Sequence, residues 1–308
     1  MRFTAILPLA TRAASAKPAR TTGRLGRCFG AAAAVFSLST LVAPHASANE
    51  RHFTYTYESA VLSPGKLELE PWTTFRVGRE NFYTRFDQRL EFEAGVVDGL
   101  QTALYWNMTA VAEDVTSTDP ALPPTETRVQ SFSFTGISSE WKYQLSDPVA
   151  DPLGFALYFE GTAGLVEAEL EAKLIFDKRV GDLLLAANVV GEHGWVFEVP
   201  GETEREVKLE LDLAGGLFLS QSFLLGLEVR NQTVWASEEG FEGSAFFAGP
   251  VVAYAQDTWW TGLTILPQIA AIKPEEEAPL PPGEEESALD LEHHERLEVR
   301  LLLGFQLR

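Results

Sequence analysis

The sequence predicts an all-β fold, an antiparallel up-and-down transmembrane β-barrel of about 12 strands. Three observations lead there. Apolar and polar residues alternate one by one along most of the chain after residue 65, which is the period of a strand and not of a helix. The connections between these stretches alternate between tight turns and longer polar loops. The chain opens with an export leader, yet nowhere carries the roughly 18 uninterrupted apolar residues of a spanning helix.

The leader comes first. Residues 1–48 hold six basic residues (Arg2, Arg12, Lys17, Arg20, Arg24 and Arg27) and no acid, then an apolar run from Phe29 to Val42, then Ala46-Ser47-Ala48 before Asn49. Basic, apolar and small-residue regions in that order make a secretory signal, with cleavage near Ala48. The apolar run is too short for a spanning helix, which needs ~20 residues. Cys28, the one cysteine, lies inside the leader. The exported chain is therefore no disulfide scaffold and needs another source of rigidity, which a closed sheet supplies. Removing the leader takes six of the 24 Lys and Arg and leaves 18 against 44 Asp and Glu, a formal net charge of −26. Nucleic acid is excluded as a partner, because binding it needs a basic footprint.

Residues 49–65 follow. Phe53, Tyr55 and Tyr57 alternate there as in a strand, but a strand at this point would put the N-terminus outside. The segment is assigned as a periplasmic lead-in, and the barrel to residues 66–308. The last segment shows the period best: Leu297, Val299, Leu301, Leu303, Phe305 and Leu307 share one face, and Arg296, Glu298, Arg300 and Gln306 the other. Tight turns fit at 97–99, 180–182, 220–221 and 256–257, a longer one at 147–152, and variable loops between them. The resulting strand spans are 66–78, 82–97, 100–112, 129–145, 154–164, 167–178, 183–192, 205–219, 222–235, 245–255, 258–272 and 294–308. The span 183–192 is unusual in being apolar on both faces. Centred on the first turn, Glu70 is expected opposite Arg89, Trp72 opposite Asp87 and Thr74 opposite Arg85. Pro274 to Glu292, with eight acids and four prolines, reads as a solvated loop.

Alternation by itself fits a soluble β-sandwich binding protein as well. Strands longer than the usual globular 5–6 residues and a charged face of both signs favour a wet lumen inside a membrane barrel. Aromatics near strand ends (Trp72, Phe82, Trp106, Trp141, Tyr143, Trp195, Trp235, Tyr254, Trp259 and Trp260) favour it too, as an interfacial girdle. Location in the outer membrane, among its lipids, follows as the expectation.

The stretches Lys66–Trp72 (KLELEPW), Glu140–Tyr143 (EWKY), Glu169–Asn188 (ELEAKLIFDKRVGDLLLAAN) and Trp259–Gln268 (WWTGLTILPQ) resemble a broad family of outer-membrane barrels loosely associated with the meta-cleavage pathway of phenol degradation. The resemblance spans most of the exported chain and implies a porin-like transporter. Its motifs belong to the scaffold and imply no substrate. Such barrels often end in an aromatic residue used in recognition by the barrel assembly machinery; here Phe305 stands three residues from the end.

Nothing in the sequence assembles a catalytic centre. There is no Gly-x-Ser-x-Gly elbow, and His193 is expected just past a strand end with no serine near it. No enzyme activity and no cofactor are assigned. His293-His294, between Glu292 and Glu295, offer ligands for a transition metal, but a charged loop entering the last strand accounts for them equally, and no metal site is assigned. The functional candidates are the inward charges: Glu68, Glu70, Arg76, Arg85, Asp87, Arg89, Glu91, Glu93, Glu160, Glu169, Glu171, Lys173, Glu210, Asp212, Arg230, Arg296, Glu298 and Arg300. The same alternation adds Glu140, Lys142, Asp177, Lys208 and Glu228. They either pair across strands to satisfy a closed, structural or adhesive barrel, or filter small solutes in a channel. Their acids outnumber their bases, so a conducting lumen is expected to favour cations.

Overall fold

Twelve antiparallel strands pair in sequence order, and the first pairs with the last. The computed structural model describes residues 51–116, 126–197, 203–237, 240–274 and 287–307. The strands are β1 (Leu67–Val77), β2 (Tyr83–Val97), β3 (Leu100–Thr116), β4 (Glu126–Ser146), β5 (Gly154–Ala163), β6 (Glu167–Val180), β7 (Leu183–Phe197), β8 (Thr203–Ser220), β9 (Phe223–Ala236), β10 (Gly240–Gln256), β11 (Trp259–Ile272) and β12 (Leu297–Gln306). Each neighbours its successor, and β1 closes on β12 with Trp72 opposite Leu302 and Phe75 opposite Val299. Closure leaves no edge strand, the condition a sheet must meet in hydrocarbon, where an unpaired backbone group costs several kcal/mol.

All twelve expected strands are present, with ends moved by a few residues. β4 begins at 126 and β10 at 240, and β7 runs on to Phe197. His193, expected past a strand end, therefore lies within β7, its ring 4.2 Å from that of Trp195. Two of the tight turns fall where glycine permits a left-handed backbone, at Asp98-Gly99 (φ +79° at Gly99) and Gly181-Asp182 (φ +60° at Gly181). The leader and residues 275–286 of the acid-rich loop lie outside the described residues.

The first hairpin departs from its expected register. Glu70 faces Glu91, not Arg89; Trp72 faces Arg89, not Asp87; and Thr74 faces Asp87, not Arg85. The connection runs from Gly78 to Phe82, closed by the Gly78 amide on the Tyr83 carbonyl at 3.1 Å. Its centre is Glu80-Asn81, as expected, but a turn centred there places each partner two residues further along β2 than the expected pairs did. A two-residue shift preserves the face, so Glu70 remains buried.

The alternating faces separate cleanly. Leu104, Phe132, Leu157, Leu174, Leu211 and Leu227 are exposed on the outer wall, whereas Glu68, Glu70, Glu91, Glu140, Glu160, Glu228 and Glu298 are buried within it. Phe82, Trp106, Trp141 and Tyr143 stand exposed as girdle residues should. Trp72 and Trp260 do not belong to that girdle: both are buried in the interior, because their positions have the parity of the inward face.

Trp260 shows how closely the interior is filled. Its indole N–H donates to Glu68, and it lies across β12 at Gly304. A Cβ on Gly304 would stand 2.1 Å from the indole nitrogen and 2.6 Å from a Glu68 oxygen. Gly304→Val is expected to destabilise the barrel by about 1–3 kcal/mol. The check is the urea midpoint of the chain in detergent micelles, followed by tryptophan fluorescence; an unchanged midpoint would mean that Trp260 does not cross β12 there.

Candidate functional site in the barrel lumen

The lumen holds a segment of its own chain. Residues 51–62, expected as a periplasmic lead-in, lie inside the barrel: Arg51, Phe53, Thr54, Tyr55, Thr56, Tyr57, Ser59 and Leu62 are all buried. The segment makes no ladder with any strand and is held by side chains of the wall. Glu228 of β9 accepts from the amides of Thr54 (3.1 Å), Tyr55 (2.9 Å) and Thr56 (2.9 Å), and from the Thr264 hydroxyl of β11 (2.5 Å). Successive amides turned on one carboxylate form an anion nest. Asn188 of β7 clamps Tyr57, accepting from its amide at 2.6 Å and donating to its carbonyl at 3.0 Å. Gln101 of β3 accepts from the Leu62 amide at 2.8 Å.

The three alternating aromatics enter separate apolar seats. Phe53 packs with Leu184, Ala186, Ala214, Leu224, Val251 and Ala253. Tyr55 joins Ala245, Phe247 and Leu266. Tyr57 joins Trp72, Tyr105, Tyr158 and Ile175. Burying each ring contributes roughly 1.5–3 kcal/mol. The Phe53 seat explains why β7 is apolar on both faces: Leu184 and Ala186 face the segment, not water. His52 binds Glu58 through its backbone amide (2.8 Å) and its ring (3.0 Å), so residues 52–58 form a loop closed at its neck. His52 packs on Phe218, and Leu62 reaches β3 beside the short 98–99 turn. The loop thus enters from the end of the barrel that carries the short turns.

Most of the expected inward charges occur in paired groups. Arg230 bridges Glu210 (2.6 Å) and Glu298 (3.0 Å), near Asp212, its partner across the β8–β9 ladder. Asp87 sits between Arg76 (3.3 Å) and Arg85 (2.7 Å), so those two arginines, opposite one another in the ladder, share a carboxylate. Arg89 pairs with Glu160, and Lys173 with Glu171 at 2.9 Å. Lys208 pairs with Glu192 at 2.6 Å. Glu169 is half-buried on β6. Arg300 donates to Thr74 (2.9 Å) and lies 3.7 Å above the Tyr55 ring, tying the wall to the loop. Arg296 stands apart: it precedes β12 and is exposed at the rim, where its amide donates to the Gly78 carbonyl. Glu70, Glu91 and Glu93 form a buried cluster of carboxylates.

At the rim, the described end of the acid-rich loop folds over β10 and β11. Asp290 is buried, its carbonyl accepts from Gln268 at 3.0 Å, and its carboxylate meets the His293 ring at 3.3 Å. His294 Nε2 is 3.9 Å from the same carboxylate. The hydrogen bond to Asp290 holds the His293 imidazolium pKa above its ordinary value. Burial pushes the Asp290 carboxyl up, but the bond and charge of His293 outweigh it and hold it below the usual range. The His293 contribution is fully present below the ordinary imidazole pKa of about 6.5 and is lost as pH rises through the raised value. The Asp290 contribution is present above about 3.8 and is lost as pH falls through the lowered value. Residues 287–296 are expected to resist proteolysis better at pH 5.5 than at pH 8.5, and Asp290→Asn to abolish the difference. Equal cleavage of the native chain at both values would show that the pair does not hold the loop.

Sequence reasoning missed Asn188 and Gln101, which anchor the loop, and Thr264, which donates to the Glu228 carboxylate that does the same. Asn188 left one sign, as the polar residue between Leu184, Ala186 and Val190 on the inward row of β7.

The stretches that resemble the phenol-pathway barrels are wall segments of β1, β4, the β6–β7 hairpin and β11, and the comparisons do not point to that pathway. No curated protein matches the sequence. Among solved structures, the chain is similar to the COG4313 outer membrane channel from Pseudomonas putida F1, at 11% identity and a TM-score of 0.49 over 81% of this chain and 98% of that one. It is similar to the NanC porin at 10% identity and a TM-score of 0.47, over 78% and 100%. A third similarity is to the CymD monoaromatic hydrocarbon channel, at 8% identity and a TM-score of 0.39, over 80% and 89%. The sequence profile that does match covers residues 45–307, and by it the chain belongs to DUF6662, a family of unknown function.

Proposed function

We propose that this chain is an exported outer-membrane barrel that passes small solutes, cations in preference, through a lumen closed at rest by its own 52–58 loop. One observation carries the reading: the loop that fills the lumen is held by side chains, above all Glu228 and Asn188, and by no strand pairing. A thirteenth strand could leave only by breaking a ladder. A loop held by one carboxylate, one amide and three aromatic seats leaves as a unit, and its neck keeps it folded while it does. The apolar outer wall with its exposed Trp and Tyr supports residence in the bilayer. The excess of acids among the inward charges supports cation preference, tempered by the pairing of most of them.

The filled lumen favours a second reading, a closed structural barrel in which the loop never leaves. Two measurements decide. Fractionation with the outer membrane and heat-modifiable migration on gels are expected; recovery as a soluble protein would remove both readings. In planar bilayers the native chain is expected to open rarely. Glu228→Ala deprives three amides of their shared acceptor, a loss of about 3 kcal/mol, which raises the ratio of open to closed states about a hundredfold. The zero-current potential across a salt gradient should have the cation-selective sign. Silence of both the native chain and Glu228→Ala would establish the closed barrel.

A further inference from the structure

Three inward carboxylates stand apart from the ion pairs described above. Glu70 faces Glu91 across the β1–β2 ladder, and Glu93 follows on the same inward face. Their carboxylate oxygens converge within 4.8 Å of one another, and all three side chains are buried. Neither oxygen of Glu70 and neither oxygen of Glu91 accepts a hydrogen bond from a described residue, although both residues are 0% exposed. Glu93 accepts one bond, from Gln101 at 2.8 Å, and its second oxygen has none. Elsewhere in the same lumen Glu228, Glu210, Glu298 and Glu160 are each met by amides, hydroxyls or guanidinium groups.

The nearby cation is Arg51, whose guanidinium lies 3.9 Å above the Tyr57 ring and 4.6 Å above the Trp72 ring and donates to the Thr54 carbonyl. One guanidinium against three ionised carboxylates leaves two negative charges uncompensated in a dry interior, where an unpaired ion costs several kcal/mol. A single divalent ion cancels that remainder. The donors are all carboxylate oxygens, with no imidazole or thiolate in the cluster. That composition selects a hard cation over zinc or copper. Calcium binds oxygen at about 2.3–2.6 Å, so oxygens on opposite sides of one ion lie about 5 Å apart, which is the span of this cluster. Magnesium dehydrates reluctantly and keeps several waters, which suits a packed interior less.

We propose that Glu70, Glu91 and Glu93 bind one calcium-class divalent cation, which pins the β1–β2 hairpin to the lumen beside Arg51. The ion sits at the root of the loop that fills the barrel, since Arg51 opens that segment and Gln101 both accepts from Leu62 and donates to Glu93. The inference stands whether or not the lumen conducts.

The test uses the full exported chain folded in detergent micelles and freed of metal with a chelator. Terbium, a luminescent stand-in for calcium, is added with excitation of the tryptophans, Trp72 being the neighbour on β1. A saturable signal displaced by calcium is expected, with affinity falling about tenfold or more in Glu91→Gln. Replacing Glu275, Glu276 and Glu277 by Gln controls for ions held by the acid-rich loop and should leave the signal intact. Stability gives an independent readout: Glu91→Gln relieves repulsion, so it should unfold at higher temperature than the native chain in chelator and at lower temperature in calcium. The same order in both conditions would show that the carboxyls are neutralised by shared protons and would overturn the proposal. A terbium signal indifferent to Glu91→Gln would do the same.

Discussion

The structure depends on the requirement that no strand edge be left with unpaired backbone N–H and C=O groups. The β1–β12 seam meets it, with β12 held on its other side by β11. Once the sheet is closed, the alternation of side chains fixes everything else. The outer wall is apolar, and every second residue must find its partner in the enclosed lumen. Twelve strands enclose a space too wide for wall side chains to fill by themselves. The chain fills it with the loop before β1 and with charges reaching inward from neighbouring strands.

The wall was legible in the sequence because period-two patterning and turn residues are local signals. The Asp98-Gly99 and Gly181-Asp182 turns could be placed from glycine chemistry, and the strand faces from alternation, so the inward residues emerged with the right parity even where pairing was offset by two in the first hairpin. The loop was not legible for the same reason. Phe53, Tyr55 and Tyr57 alternate as in a strand, and periodicity does not distinguish a ladder from a row of aromatics seated one by one in a lumen. Two clues existed in retrospect: the apolar inward row of β7, which a wet lumen would not tolerate, and Asn188 set within it. Both require knowing that something occupies the space opposite. Arg296 had the right parity but lies beyond the strand, at the rim.

The charged interior divides by what compensates it. On one side of the lumen Arg230 is shared by Glu210 and Glu298, on another Arg89 answers Glu160, and the row of Arg76 and Arg85 is broken by Asp87. Such pairs, each removed from water, give little net stability, but removing either partner is costly. Glu70, Glu91 and Glu93 lack this arrangement, because the ladder register sets Arg89 opposite Trp72 and Glu91 opposite Glu70, and Arg89 answers an indole and Glu160 instead.

The position of the loop ahead of β1 bears on the order of assembly. Its last buried residue, Leu62, is five residues before Leu67, where β1 begins. The piece that occupies the lumen is therefore synthesised before any of the wall that encloses it. Glu228 and Asn188, which hold the loop, belong to β9 and β7, so the loop gains its acceptors only after most of the wall has been synthesised. The seam between β1 and β12 thus encloses a piece of chain that was made before either of its two strands.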